Sequence, residues 1–288
     1  MINRLGSALP VAAVLLALVA VWYPVAMWMN HGAAASLADE GASAGDVWRS
    51  TLSLDRPLLP APHQVAGEIG DELFGYPVSS PRSLVFHAGV TAGAALCGFA
   101  IAVVLGTALA VGIVHARTLD RSLMPWVIAS QTVPVLAIAP MVVVVLGHAG
   151  LTGLWPKALI AGWLSFFPIT TAMVTGLRAP DPMQRDLMRT YAASGVQVFT
   201  RLRWPASMAF LFPALKVAGA LALVGAIVAE LPTGAQAGLG ARLLAGSYYG
   251  QTLQIWAALF TAGALAMLAT GGVALAQAGL ARAWGGRL

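Results

Sequence analysis

The chain has 288 residues, of which 59% are hydrophobic and only 9% are charged, and its mean hydropathy is +0.80. Soluble domains carry about 25% charged residues, so this composition excludes an ordinary soluble enzyme, and the apolar content excludes a disordered chain. The net charge of +5 would suggest nucleic acid as a partner in a soluble protein. Here the arginines flank apolar runs, which favours a lipid bilayer and no nucleic-acid partner.

Six apolar segments are long enough to cross a bilayer, which takes about 20 mostly apolar residues in a helix. They are 9–28, 84–116, 123–147, 158–177, 208–229 and 253–281. Strands of a membrane barrel alternate apolar and polar residues, which these runs do not. The sequence therefore predicts an all-α fold, a polytopic membrane helix bundle with about six transmembrane helices.

The basic residues predict the direction of the spans, because cytoplasmic segments are enriched in arginine and lysine. With the N-terminus in the cytoplasm, ten of the 16 basic residues fall on the inner side and five on the outer side. Lys216 lies within the fifth span. Both termini are thus expected to be cytoplasmic, with the last five spans in 83–281 and a cytoplasmic tail at 282–288.

The N-terminal part is predicted to be a transmembrane helix within 1–30, followed by an outer loop over 31–82. The first span could instead be a cleaved signal peptide, although its apolar stretch exceeds the about 7–15 residues usual there. The first half of the loop is expected to be flexible. Further on, Val65, Ile69 and Leu73 recur at helical spacing, which indicates either an amphipathic helix or a loop packed on the protein.

Residues that could perform catalysis or bind a metal are not grouped in the sequence. The five histidines show no ligand spacing, and no glycine-rich phosphate loop ending in Lys-Ser/Thr occurs. The spans hold few ionisable residues, whereas a proton-driven carrier usually has several. We therefore expect no enzyme activity, no metal site and no cofactor in this chain, and an energy source on another subunit.

Prolines within the third and fourth spans indicate interrupted helices, because each removes a backbone hydrogen bond and frees a carbonyl. Polar side chains stand near them, so a kinked stretch lining a solute path is expected, especially over 135–139. The alternative is that the hydroxyls bond to their own helix backbone. The candidate path residues are Gln131, Thr132, Pro134, Pro140, Pro168 and Thr171.

Glu230 is the acidic residue at the end of the fifth span. It could gate the path or contact a partner, or it could terminate the helix near water, where a carboxylate costs little. A structural or gating role is favoured over substrate contact. Repulsion from its carboxylate would disfavour an anionic substrate beside it, but one residue does not set specificity.

The inner loop over 178–207 is predicted to hold two short helices. Asp181, Pro182 and Gln184 form a capping-box pattern for the first helix, and Gly195 is expected to end it in a left-handed turn. The second helix is expected to end at Trp204-Pro205, because the residue before proline is biased away from the helix. Such amphipathic basic helices suit either lipid phosphates or docking to a cytoplasmic protein.

The loop resembles the signature of permease subunits of binding-protein-dependent ABC importers, Glu-Ala-Ala, three residues, Gly, nine residues, Ile, any residue, Leu-Pro. The spacing is the same and the identities are loose: Asp186 takes the Glu position, Ala192 the Gly position and Leu202 the Ile position. The resemblance and the apolar face of the first helix assign the ATPase-coupling role to Asp186, Leu187, Met188, Tyr191, Ala192, Gly195, Leu202, Trp204 and Pro205.

Four more segments in the same order resemble this family, within about 58–277. They are Leu59-Pro60 with Pro62, Val133-Pro134 with Ala139-Pro140, Phe166-Phe167-Pro168, and 226–230 followed by Gly238-Leu239-Gly240. The set is most similar to the nitrate, sulfonate and taurine permease subfamily, which also includes riboflavin and thiamine-precursor permeases.

The resemblance implies a MetI-like ABC permease architecture in a bacterial inner membrane. It implies a pair of permease subunits, with a homodimer favoured over a heterodimer, cytoplasmic ABC ATPases that bind ATP and Mg, and a periplasmic or lipid-anchored substrate-binding protein. The alternatives are a self-contained secondary transporter or channel and a membrane scaffold without transport. Small oxyanions and vitamin-like heterocycles both stay open as substrates, with the pore composition favouring a small organic molecule.

Overall fold

The computed structural model describes residues 2–38, 42–231 and 235–283, with the backbone alone for 2–8. Over these residues the chain is helical and contains no strand, which confirms the all-α prediction. A π-helical turn, Phe199–Arg203, joins the short helix Gly195–Val198 to the long helix Trp204–Glu230. In chain order the helices are α1 (Ile2–Leu37), α2 (Ala44–Ser50), α3 (Pro62–Phe74), α4 (Leu84–His115), α5 (Arg117–Ala129), α6 (Val135–His148), α7 (Leu154–Arg178), α8 (Pro182–Thr190), α9 (Gly195–Val198), α10 (Trp204–Glu230), α11 (Leu239–Tyr249) and α12 (Thr252–Ala283).

Five helical runs in the described part of the chain are long and apolar enough to cross a membrane: α1, α4, α7, the run from α9 through α10, and α12. The third predicted span differs, because it is divided into α5 and α6 with 130–134 between them. With 14 residues, α6 is about 21 Å long, shorter than the about 30 Å of a hydrocarbon core. Pro134 explains the break, since it lacks an N–H and disfavours helix at the residue before it.

The chain divides into two compact units, of which the first comprises 1–86 and 242–261. In this unit the side chain of Asn30, on α1, is fully buried. Its oxygen accepts from the N–H of Leu58 at 2.8 Å and its nitrogen donates to the carbonyl of Leu59 at 2.8 Å. The expectation of a flexible segment is therefore wrong for 42–59, which contains α2 and is held by Asn30. Residues 39–41 lie outside the described residues.

The amphipathic helix predicted around Val65 is α3, and it is also packed on the protein. Val65 and Glu72 of α3 are buried, and Glu72 forms an ion pair with Arg242 of α11 within the same unit. Burial lowers the pKa of Arg242, and the nearby Glu68 carboxylate acts in the opposite direction. The sequence predicted either an amphipathic helix or a loop packed on the protein. The structure shows an amphipathic helix that is packed on the protein.

The second unit comprises 87–241 and 262–288. In it, α7 and α10 approach so closely that a Cβ on Gly176 would lie 2.7 Å from the Cα of Ser207. A Cβ on Gly225 would lie 2.7 Å from the Cα of Ala161. Small residues allow such contact in lipid, where apolar burial does not drive helix association. Residues 214, 218, 222 and 226, a row of alanines along α10, are accordingly buried.

Candidate functional site

The loop between α7 and α10 begins with a capped helix, α8. The Asp181 carboxylate accepts from the N–H of Met183 at 3.4 Å, and the Gln184 side-chain oxygen accepts from the N–H of Asp181 at 3.1 Å. Pro182 follows the cap, where its missing N–H breaks no helical bond. The predicted start of this helix is confirmed.

The helix ends in a left-handed turn at Ala192, whose φ of 52° is positive, unlike that of any other described non-glycine residue. The N–H of Ala193 donates to the carbonyl of Met188 at 3.0 Å, and the N–H of Ala192 donates to the carbonyl of Arg189 at 2.9 Å. These two bonds form a Schellman motif, in which the left-handed residue is usually glycine. The prediction that Gly195 makes this bend is wrong, because Gly195 begins α9.

The second helix of the loop continues into α10 instead of ending at Trp204-Pro205. Across the π turn, the N–H of Trp204 donates to the carbonyl of Phe199 five residues earlier. The wider turn accommodates Pro205, which has no N–H to give. The predicted end at Trp204-Pro205 is therefore wrong, and the residues from α9 to Glu230 form one helical rod.

Large apolar side chains of the loop lie at the surface. Met183, Leu187 and Tyr191 are 80%, 56% and 77% exposed and follow one face of α8, while Met188 is half-buried. Asp186 forms an ion pair with Arg189 at 3.0 Å, and both side chains are largely exposed. An exposed apolar face of this kind marks an interaction surface.

Aromatic rings hold the loop against the end of α4. The ring of Phe199 lies 5.4 Å from that of His115 and 5.8 Å from that of Trp204, between ring centres. Leu202, Trp204 and Pro205 are half-buried, so these members of the predicted coupling set anchor the loop. The exposed members are Asp186, Leu187, Tyr191, Ala192 and Gly195.

The polar residues predicted to line a path are mostly bonded to their own helix backbone. The Thr132 hydroxyl donates to the carbonyl of Ala129 at 2.8 Å, and the Thr171 hydroxyl donates to that of Phe167 at 2.9 Å. The alternative interpretation, that these hydroxyls bond to the backbone of their own or the adjoining helix, therefore applies to both threonines. Gln131 is exposed in the break between α5 and α6.

The prolines of the predicted path differ in position. Pro134 caps the start of α6, Pro140 lies exposed within it, and Pro168 is half-buried within α7. Residues 135–139 form the first part of α6, and the chain leaves the helix before them, at 130–134.

Glu230 lies in a fully buried polar cluster at the far end of α10 from the loop. Its carboxylate accepts from Lys157 Nζ at 3.2 Å, from the Thr91 hydroxyl at 3.0 Å and from the N–H of Gly240 at 2.8 Å. The Thr91 hydroxyl also accepts from the N–H of Leu239 at 2.8 Å. The alternative that Glu230 ends its helix near water is wrong, because no part of the side chain is exposed.

Glycines permit the chain to cross directly over this carboxylate. Gly238 has a φ of 125°, and a Cβ there would lie 2.1 Å from Glu230 Oε1. A Cβ on Gly240 would lie 2.4 Å from the carbonyl oxygen of Ile227. The Gly-Leu-Gly segment is thus required by the buried carboxylate, with Leu239 fully buried between the two glycines.

A cavity of about 900 Å³ lies beside this cluster, within the second unit. Gly89 and Gly93 of α4, Gly147 of α6, Lys157 of α7 and Ala229 of α10 contribute to its lining. A Cβ added to Gly89, Gly93 or Gly147 would meet nothing within 4 Å, so larger side chains would project into open space. Sequence reasoning missed both the cavity and Lys157, which it treated only as an outer basic residue.

Residues 102–282 match a family described as "Binding-protein-dependent transport system inner membrane component". The chain is 32% identical over 197 residues to the formylaminopyrimidine transport permease protein ThiX of Halalkalibacterium halodurans, covering 67% of this chain and 74% of that protein. It is 34% identical over 187 residues to the riboflavin transport system permease protein RibX of Chloroflexus aurantiacus, covering 64% of this chain and 65% of that protein.

Proposed function

Because the chain belongs to the family of binding-protein-dependent transport system inner membrane components and is a transmembrane permease of an ABC transport system, we propose that it forms the translocation path of an ATP-driven importer. Separate cytoplasmic ABC ATPase subunits bind ATP and Mg, and a periplasmic or lipid-anchored binding protein delivers the solute. A second copy of this chain completes the path. Both termini lie in the cytoplasm of a bacterium, and the chain itself is not an enzyme.

The 178–207 loop is the observation that carries this proposal. It presents Met183, Leu187 and Tyr191 to the surface, and its second half continues without interruption into α10. A partner that binds this face can therefore move α10 as a rigid body, which is how nucleotide-driven subunits bias a packed bundle between two states. The exposed side chains of α8 would contact the ATPase, and the continuous helix would transmit its movement to α10.

The substrate we propose is a small organic molecule of the vitamin-like heterocycle class. Two relatives carry names that refer to formylaminopyrimidine and riboflavin transport. Glu230 imposes no net charge on the neighbouring cavity, since Lys157 neutralises it. Repulsion by Glu230 is therefore no longer a reason to exclude an anionic substrate from this cavity. The preference for an organic solute rests on the names of the relatives and on the weakly polar lining of the cavity.

The test of the docking role is a charge introduced into the apolar face of α8. Leu187→Arg places a cation in the exposed face that the partner would contact, so we expect the variant to insert normally and to co-purify with its ATPase at least tenfold less well. Leu58→Arg makes the same change at another exposed leucine and is expected to co-purify normally. Normal recovery of the ATPase with Leu187→Arg would contradict the docking role.

The test against a self-contained secondary transporter uses proteoliposomes. With the ATPase and binding protein present, we expect solute accumulation that requires ATP and stops when the ATPase loses its catalytic carboxylate. Accumulation by the permease alone under an ion gradient would favour the secondary transporter instead.

A further inference from the structure

Two adjoining cavities lie where the 178–207 loop packs beside the end of α4. Their volumes are about 950 Å³ and about 570 Å³, and they share His115, Arg185 and Arg203 in their linings. Both are formed entirely within the second unit of the chain. They are distinct from the Glu230 cluster, which lies at the other end of α10.

The charges around these cavities do not balance. Two carboxylates are present, and each is used: Asp120 pairs with Arg178 at 2.8 Å, and Asp186 pairs with Arg189 at 3.0 Å. Within the described ranges, three further arginines of the linings form no salt bridge, and they are Arg117, Arg185 and Arg203. Arg185 and Arg203 line both cavities, and Arg117 lines the smaller one. Three guanidinium groups without a carboxylate partner fit an anion with several acceptor oxygens.

The position of the cavities relates this anion to the bilayer. The membrane-crossing helices α4 and α7 end at His115 and Arg178, and basic residues at the ends of spans commonly meet lipid headgroups. The remaining walls include apolar side chains of these helices and of the loop, among them Val111, Leu177 and Phe199. A charged rim over an apolar wall matches a phosphodiester with the start of its acyl chains.

We propose that these cavities bind the phosphate of an anionic phospholipid, held by Arg117, Arg185 and Arg203. Basic pockets between transmembrane helices commonly bind such headgroups. The inference goes beyond the proposed transport role and requires only that the chain is embedded in a bilayer.

The two faces of α8 separate this lipid from a docked partner. Pro182, Arg185, Asp186 and Arg189 line the larger cavity, at the spacing of one helix face. The exposed Met183, Leu187 and Tyr191 are absent from that lining and follow a different face. Lipid bound behind α8 therefore supports the loop from one side and leaves its apolar face free for the ATPase.

The experiment titrates the purified full chain in detergent with phosphatidylglycerol or phosphatidylcholine and counts bound lipid by native mass spectrometry. We expect phosphatidylglycerol to bind preferentially. The double variant R185Q/R203Q should weaken its binding about 30-fold at low salt, since each basic side chain near an anionic headgroup contributes about a fivefold factor. R203Q alone should lose about fivefold, and R203K should retain most of the binding.

The matched control is R201Q, two residues from Arg203 in the same π turn, exposed and absent from both linings. It is expected to bind phosphatidylglycerol like the parent chain. Equal losses in R201Q and R203Q, or equal binding of the two lipids, would overturn the site.

A third arm adds inorganic phosphate. If it displaces phosphatidylglycerol at equal concentration, the cavities take a free anion and the lipid assignment is wrong. Thermal unfolding in phosphatidylcholine monitors whether each variant folds. R117Q replaces any variant that fails to fold, and it is expected to lose about fivefold in phosphatidylglycerol binding, like R203Q.

Discussion

Ala192 holds a left-handed backbone conformation that costs a residue with a Cβ about 1–2 kcal/mol. It does so because the Schellman hydrogen bonds to Met188 and Arg189 require that conformation at the end of α8. The family signature has glycine at this position, and the structure gives a physical reason for it. The sequence alone identified the substitution but misplaced the bend, since Gly195 is the nearest residue that turns easily.

We predict that Ala192→Gly stabilises this turn by up to about 1 kcal/mol, because relief of the strained φ outweighs the extra freedom of glycine in the unfolded chain. Hydrogen exchange at the Ala193 amide, which closes the turn, should slow accordingly. Ala193→Gly is the control, and we expect no slowing there. Faster exchange in Ala192→Gly would contradict the strain argument.

Glu230 and Lys157 form a buried ion pair, so we predict that removing either charge alone is more costly than removing both. Glu230→Gln and Lys157→Met should each lower the free energy of unfolding by about 3–5 kcal/mol, while the double variant should lose less than either single variant. Denaturant unfolding in detergent measures the cycle.

The exposed pair Asp186–Arg189 provides the comparison for that cycle. Its disruption by Asp186→Asn should cost less than about 1 kcal/mol, because water screens both charges. Equal losses at the buried and exposed pairs would contradict the role assigned to burial.

The buried pair also shows where sequence reasoning stops. Glu230 was recognisable as a candidate from its place at the end of a span. Its partner lies 73 residues away on another helix, and no periodicity links the two. An ionisable group within a membrane protein generally needs a partner of opposite charge. This rule was the available signal, and Lys157 was a candidate for that partner.

Under the proposed function, coupling to the ATPase depends on the rod formed by α9, the π turn and α10. We predict that two glycines inserted after Arg203 leave ATPase binding near normal and reduce ATP-driven uptake at least tenfold, because the flexible joint transmits no rotation. Co-purification and uptake are measured on the same preparation. The control has two glycines inserted after Gly150, in the turn between α6 and α7, and should transport more than the variant in the rod.

Hydropathy was sufficient to locate α1, α4, α7, α10 and α12, since long apolar runs in this composition have few other structures. Hydropathy did not reveal the break in the third span, because residues 130–134 are not polar enough to lower the mean hydropathy of that segment. The cue was Pro134, which ends helical structure through its missing donor and not through its polarity.

Several elements of the second unit together form the cavity near Lys157, and its role is a question about the whole molecule. If solute passes there, Gly93→Leu should lower uptake at least tenfold with normal folding, because its side chain projects into open space and fills part of the cavity. Gly263→Leu, on α12, also meets open space but does not line this cavity, and should transport normally. Unchanged uptake in Gly93→Leu would remove the cavity from the path.

The break at 130–134 has a consequence for how cells make this protein. The amides of Ser130, Gln131 and Thr132 donate to carbonyls of α5, but carbonyl groups freed at such a break are not tolerated against acyl chains and need another protein surface or water beside them. Under the proposed assembly, a newly inserted copy without its partner subunits would present the break to the lipid. We therefore expect membrane quality-control proteases to degrade surplus copies, so that subunit levels are matched after synthesis rather than by expression alone.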